Sequence, residues 1–207
     1  MDTKKRNRRE EYTLRVIRET FLVLLRKQNI ERISVGELCK LADINRSTFY
    51  RHYADIYALL DTICEEYFQM LFTNMTKLSN YGSANSPSAT YQMILQACAI
   101  AEEHKEIYQL LMFRQPASRF QQRLNDAFYQ LMDSHHDFTH NRTPATSLHY
   151  QYMTSGILGI WLAWLRDDCK VPKETVATLV EEHMGSALHI IWTRHQQLSS
   201  AHRNPDF

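Results

Sequence analysis

Apolar residues recur at three- and four-residue spacing over most of the chain, which is the mark of amphipathic helices. Leu14, Ile17, Phe21, Leu24 and Leu25 form one such face and predict a first helix from about Arg8 to Lys27, with Asn29 breaking the pattern. Ser34-Val35-Gly36-Glu37 has the form of a capping box: the Ser hydroxyl accepts from the backbone N–H three residues on, and Glu37 reaches back to the Ser34 N–H. It predicts a short helix with Val35, Leu38, Leu41 and Ala42 facing inward. Asp43-Ile44-Asn45 reads as a turn, because Asp tolerates the left-handed conformation that such a turn often needs. Asn45 then serves as N-cap for a third helix, from about Arg46 to His52.

Beyond Asp55 the pattern stays helical. A long helix from Asp55 to about Ser79 carries Leu59, Leu60, Ile63, Tyr67, Met70 and Leu71 on its inner side. The polar stretch Asn80 to Ser86 is a loop, followed by helices over Ser88 to His104 and Glu106 to Phe113. Pro116 marks a break before a helix from Ser118 to His135, and His136 to Thr143 reads as a second loop. Two last helices, about Ala145 to Asp167 and Lys173 to Thr193, flank Cys169-Lys170-Val171-Pro172. The fold class is therefore all-α, with about nine helices and a three-helix head on a larger body.

A chain of 207 residues suits one large domain or two small ones. Its five glycines and five prolines leave too few turns for a many-stranded β fold. Charge is unevenly placed. Residues 1–55 hold thirteen Lys/Arg against eight Asp/Glu, a net +5, while the rest has eleven against fifteen, a net −4. A basic front on an acidic body suits a polyanion-binding head; a solvated basic tail is the plainer reading of the same charges. The four cysteines (39, 64, 98, 169) lie far apart and read as core residues of a reducing compartment. No apolar stretch behind MDTKKRNRREE resembles a signal peptide, and the run Gly156 to Leu165 is shorter than the roughly 20 residues a bilayer span needs. A cytoplasmic protein without a membrane partner is expected.

Two short helices joined by a tight turn, behind a longer supporting helix, make a helix-turn-helix. Within Arg46-Ser47-Thr48-Phe49-Tyr50-Arg51-His52-Tyr53, Phe49 is expected inward, which leaves Thr48, Tyr50, Arg51 and His52 outward or along the rim. Hydroxyls and a phenol suit phosphate oxygens, and Arg suits a guanine edge. Lys4, Lys5, Arg6, Arg8 and Arg9 form an arm able to add phosphate or minor-groove contacts.

Residues Ile33 to Leu60, ISVGELCKLADINRSTFYRHYADIYALL, resemble the signature of the TetR family of regulators. The resemblance implies a DNA-binding domain (1–54) and a regulatory and dimerisation domain (55–207), paired through the last two helices. It implies a homodimer on a palindromic double-stranded operator, acting as a repressor that a small-molecule effector releases. Ser34, Thr48, Tyr50 and His52 match the family's phosphate-contacting positions; Asn45, Arg46, Ser47 and Arg51 lie where members make base or further backbone contacts. Two positions depart from the pattern: Asp43 stands where the turn usually has Gly, and Ile56 where the fourth helix usually has a phosphate-gripping Lys. That second departure keeps open a co-activator or interaction module acting through a protein partner.

In the body, Phe68, Phe72, Tyr108, Met112, Phe128, Met132 and Tyr152 are candidates to line an effector pocket, or to fill an ordinary helical core. Ile157, Ile160, Trp161 and Trp164, with Val180, Met184, Leu188 and Ile191, are the expected dimer interface, the alternative being burial within a monomer. His135, His136, Asp137 and His140 suit a metal site or a solvated loop, and the loop is preferred, so no metal or cofactor is expected. No phosphate-cradling Gly-rich loop and no nucleophile with a paired base is recognisable, so no enzyme is expected.

Overall fold

The computed structural model describes residues 2–79, 87–113, 120–127 and 144–185. Within them every regular element is helical. The order is α1 (Asp2–Lys27), a 3₁₀ turn (Ile30–Arg32), α2 (Val35–Leu41), α3 (Arg46–Tyr50), α4 (Ile56–Ser79), α5 (Pro87–Glu103), α6 (Lys105–Phe113), α7 (120–127), α8 (Pro144–Arg166) and α9 (173–185). The nine helices of the described residues follow the order expected from periodicity. Helix α1 begins at Asp2, earlier than its apolar face, because Lys, Arg and Glu extend a helix without a core to pack on. The two polar loops and the His135–His140 cluster lie outside the described residues.

The chain divides into two compact units, Met1–Gln69 with Glu106–Phe120, and Met70–Lys105 with Gln121–Phe207. The first unit contains α1, α2, α3, the start of α4 and most of α6. Its core takes Ile17, Phe21 and Leu25 from α1, Leu38 from α2, Phe49 from α3, Leu59 and Ile63 from α4, and Tyr108, Leu111 and Met112 from α6. Each such side chain contributes about 1.5–3 kcal/mol on burial. The one phenol among them is satisfied: Tyr108 OH donates to the Tyr67 carbonyl at 3.0 Å, and the two rings meet edge to face at 5.5 Å. Burial, and then Tyr67, push the Tyr108 phenol above its ordinary pKa, so it remains a donor. Arg18 of α1 pairs with Glu66 of α4, and Arg26 pairs with Glu106 of α6 at 2.8 Å.

The second unit packs α5, α7, α8 and α9 with the end of α4. Met153, Ile157, Trp161 and Leu165 form the buried row of α8; Val176, Ala177, Val180 and Met184 form that of α9. Between them, Asp168 (φ 60°) and Cys169 (φ 58°) are both left-handed. The corner is held by Cys169 N–H donating to Trp164 O at 3.0 Å and by the Trp164 indole donating to Val171 O at 2.7 Å. Two ion pairs, each at 2.8 Å, brace it: Lys173 with Glu102 at the end of α5, and Asp168 with Lys105, the first residue of α6. No described helix is long and apolar enough to cross a membrane.

Candidate nucleic-acid interface

The head is built around one turn. Ser34 caps α2, its Oγ accepting from the Glu37 N–H at 3.1 Å. The other half of the capping box is redirected, since the Glu37 carboxylate accepts from Gln28 Nε2 at 3.0 Å and so ties α2 to the end of α1. At the far end of α2, Asp43 adopts φ 51°, the left-handed conformation expected of it, and the Ile44 N–H reaches back to Cys39 O at 3.0 Å. That six-to-one bond is the Schellman closure, which glycine usually provides. Asn45 takes the extended backbone of an N-cap, but its side chain makes no capping bond and stays exposed.

Below this turn Leu38 and Phe49 are buried, whereas Leu41, expected inward, is largely exposed. Phe49 is completely buried, and it meets Tyr50 edge to face at 5.6 Å and Tyr53 at 5.7 Å. Leu38 is likewise buried, and α1 packs on α2 as α2 packs on α3. With Phe49 and Tyr53 fixed inward, Asn45, Arg46, Ser47, Tyr50 and Arg51 are exposed, and Thr48 is half-buried. His52 is mostly covered, its Nδ1 standing 4.0 Å from Glu10 Oε1 of α1. Seven of the eight candidate residues thus fall on or beside α3; Ser34, also exposed, belongs to the start of α2.

Two features went unseen in the sequence. Arg46 does not stand out from α3: its guanidinium runs back over Gly36 of α2, where a Cβ would stand 2.5 Å from Nη2. Its charge also opposes the burial that raises the Cys39 thiol. The start of α4 is the other. Ile56, in place of the family's usual Lys, is buried, and Asp55 caps the helix by accepting from the Ala58 N–H at 2.8 Å. A carboxylate therefore occupies the helix end, and Tyr57 stands exposed beside it.

The second unit holds a partly open apolar pocket of about 30 Å³. Leu71 and Phe72 of α4, Ile94, Ala97 and Cys98 of α5, Leu124 and Ala127 of α7, Ile157 and Trp161 of α8, and Val180 of α9 line it. Its walls are almost wholly apolar and offer a water molecule few hydrogen-bond partners. Burial pushes the Cys98 thiol up to about 12, the Trp161 indole opposing the shift. Of the residues expected to line a pocket, Phe72 is at this cavity. Phe68, Tyr108 and Met112 are buried in the first unit, Tyr152 is 75% exposed, and Phe128 and Met132 lie outside the described residues.

The residues expected at a dimer interface are placed as follows. Ile157, Trp161, Trp164, Val180 and Met184 are already buried within the single chain, and Ile160 is half-buried. Leu188 and Ile191 lie outside the described residues. The face that α8 leaves uncovered is a different one: Leu148 (71% exposed), Tyr152, Ser155, Gly156, Gly159 and Ala163. Open space lies beyond both glycines.

Comparison with known proteins agrees with this arrangement. Residues 88–185 match the TetR-type family model described as "Transcriptional regulator C-terminal region". An uncharacterized HTH-type transcriptional regulator, YxbF of Bacillus subtilis (strain 168), is 22% identical over 169 residues, 80% of this chain. The chain spans 43% of that relative's length. Among solved structures, NalD of Pseudomonas aeruginosa, the secondary repressor of the MexAB-OprM multidrug efflux pump, superposes with a TM-score of 0.61 at 20% identity. The match covers 86% of this chain and 95% of that one. A TetR transcriptional regulator from Streptococcus agalactiae 2603V gives 0.57 at 22% identity, covering 86% and 98%. The dihydroxyacetone kinase operon activator DhaS gives 0.54 at 20%, covering 87% and 97%.

Proposed function

Since this chain belongs to the TetR family of transcriptional regulators, we propose that it binds a palindromic DNA operator as a homodimer and releases it on binding a small-molecule effector. The observation that carries the DNA reading is the closed turn at Asp43, which sets α3 on a core of Leu38 and Phe49 with its polar residues exposed. Ser34, Thr48, Tyr50 and His52 then serve phosphates, and Ser47 and Arg51 face the groove with Asn45 and Arg46 beside them. The basic arm of α1 supplies the non-specific attraction. Pairing through the uncovered stripe of α8, where small residues permit close approach, gives two heads that read half-sites one helical turn apart (roughly 34 Å).

The cavity of the second unit supports an apolar effector that enters by prising helices apart, because its present volume holds little more than two water-sized spheres. A ligand that binds the opened state better shifts the balance between two conformations of the body. Repression is the outcome proposed, NalD being a repressor; DhaS, of like fold, is an operon activator.

The buried Ile56 and the carboxylate of Asp55 at the start of α4 favour a second reading, in which a weakened DNA head needs a protein partner. Selection of random duplex DNA on the purified chain at two salt concentrations separates the two. An enriched palindrome with steeply salt-dependent affinity supports the operator-binding homodimer. Failure to enrich any sequence rejects it in favour of the partner.

A further inference from the structure

Gly36 is the second residue of α2, a position where nearly any other residue makes a better helix. The backbone does not require glycine there, since no glycine among the described residues has a positive φ. What it provides is space. A Cβ at Gly36 would stand 2.5 Å from Arg46 Nη2, 3.3 Å from Cζ and 3.6 Å from Nε, so the guanidinium lies across the bare backbone of α2. The electrostatic influence of Arg46 on Cys39, further along α2, agrees with that placement.

We propose that Gly36 is a positioning residue that fixes Arg46 against α2, making Arg46 a contact to the DNA backbone beside Ser34 and not a reader of base edges. The inference rests on the reading of α2 and α3 as the DNA-contacting surface. An arginine that reads guanine extends its fork into the groove, in the plane of the base. Arg46 instead runs back over Gly36 in the first turn of the preceding helix, the turn that exposed Ser34 caps; the Ser34 Oγ accepts from Glu37 and its O–H remains to donate. A phosphate oxygen accepts from such a pair without coplanarity, and it fixes register without carrying sequence. Arg51, exposed at the end of α3, is left as the arginine that reads bases.

The test is a double-mutant cycle on the full chain with Gly36→Ala, Arg46→Ala and the pair. Binding is measured on the selected duplex and on random duplex across a salt series, with thermal midpoints alongside. Arg46→Ala is expected to weaken both duplexes by the same factor, roughly tenfold, and to lower the salt slope by about one. Gly36→Ala should lower the slope on both duplexes without lowering the thermal midpoint, because the atom it displaces is the far end of a flexible side chain. The pair should be no weaker than Arg46→Ala alone. Loss confined to the selected duplex, wild-type binding by Gly36→Ala, or multiplied effects in the pair would each overturn the assignment. If the unaltered chain shows no salt-sensitive binding at all, the DNA reading falls and takes this inference with it.

Discussion

The two units use the same apolar residue types for different ends. In the first, Phe21, Leu38, Phe49 and Tyr108 are closed against one another, and the residues proposed to meet DNA are polar side chains left outside. In the second, Ile94, Trp161 and Val180 are equally buried yet stop short of filling the space between five helices. A filled core orients what lies on its surface, whereas an unfilled one is itself able to receive something. The contrast is between a scaffold and a vessel, and it is made by packing alone.

The sharpest way to break that contrast is to truncate one phenylalanine in each unit. Phe49→Ala should cost about 3–5 kcal/mol in chemical denaturation, because the ring is completely buried and its loss leaves a cavity in the core. Phe72→Ala, at a half-buried position on the cavity wall, should cost less, about 1–3 kcal/mol. Equal losses would erase the distinction between closed and open packing.

The cysteines sharpen the same comparison through pH. Burial holds the Cys98 thiol up to about 12, while at Cys39 the Arg46 charge works against the upward push. A thiol whose folded pKa is raised keeps its proton after the unfolded chain has lost its own. Stability conferred by neutral Cys98 is therefore complete below about pH 9 and falls as pH rises toward 12, by at most ~1.4 kcal/mol per unit. Cys98→Ala should flatten the pH dependence of denaturation in that window more than Cys39→Ala does. A larger flattening by Cys39→Ala would contradict the apolar character of the second unit.

Smaller effects belong to the surface of the head. Ser34→Ala should lower stability by about 1 kcal/mol through loss of the cap, and should weaken binding to any duplex. Glu106→Gln, which breaks an exposed pair with Arg26, should cost a few tenths of a kcal/mol at low salt and nothing measurable near 1 M. A large effect from Glu106 would mean that α6 is held to α1 by charge and not by Tyr108, Leu111 and Met112.

This contrast also explains how far the sequence could be read. The order of helices, the Ser34 cap and the left-handed Asp43 were legible because each depends on a few neighbouring residues with one mechanism apiece. The inward Phe49 and exposed Tyr50 followed from helical spacing. The partner of Glu37 was missed because Gln28 lies on another element, and the resting place of Arg46 because it depends on the angle between α2 and α3. In α8, apolar residues surround too much of the helix for periodicity to choose a face. Spacing alone therefore leaves Ile157 and Trp161 open to an interface or to the chain's own core; they are buried in the core, and Gly156, Gly159 and Ala163 are left uncovered.

The corner between α8 and α9 also bears on how the body moves. Two successive left-handed residues store strain there, and the corner persists because Trp164, Lys105 and Lys173 hold it from three sides. Hydrogen exchange checks this: the amides of the corner, Asp167 to Lys170, are expected to exchange with those of the last turn of α8 and not ahead of them. A corner braced in this way resists bending, so the angle between α8 and the first turns of α9 is set by these contacts.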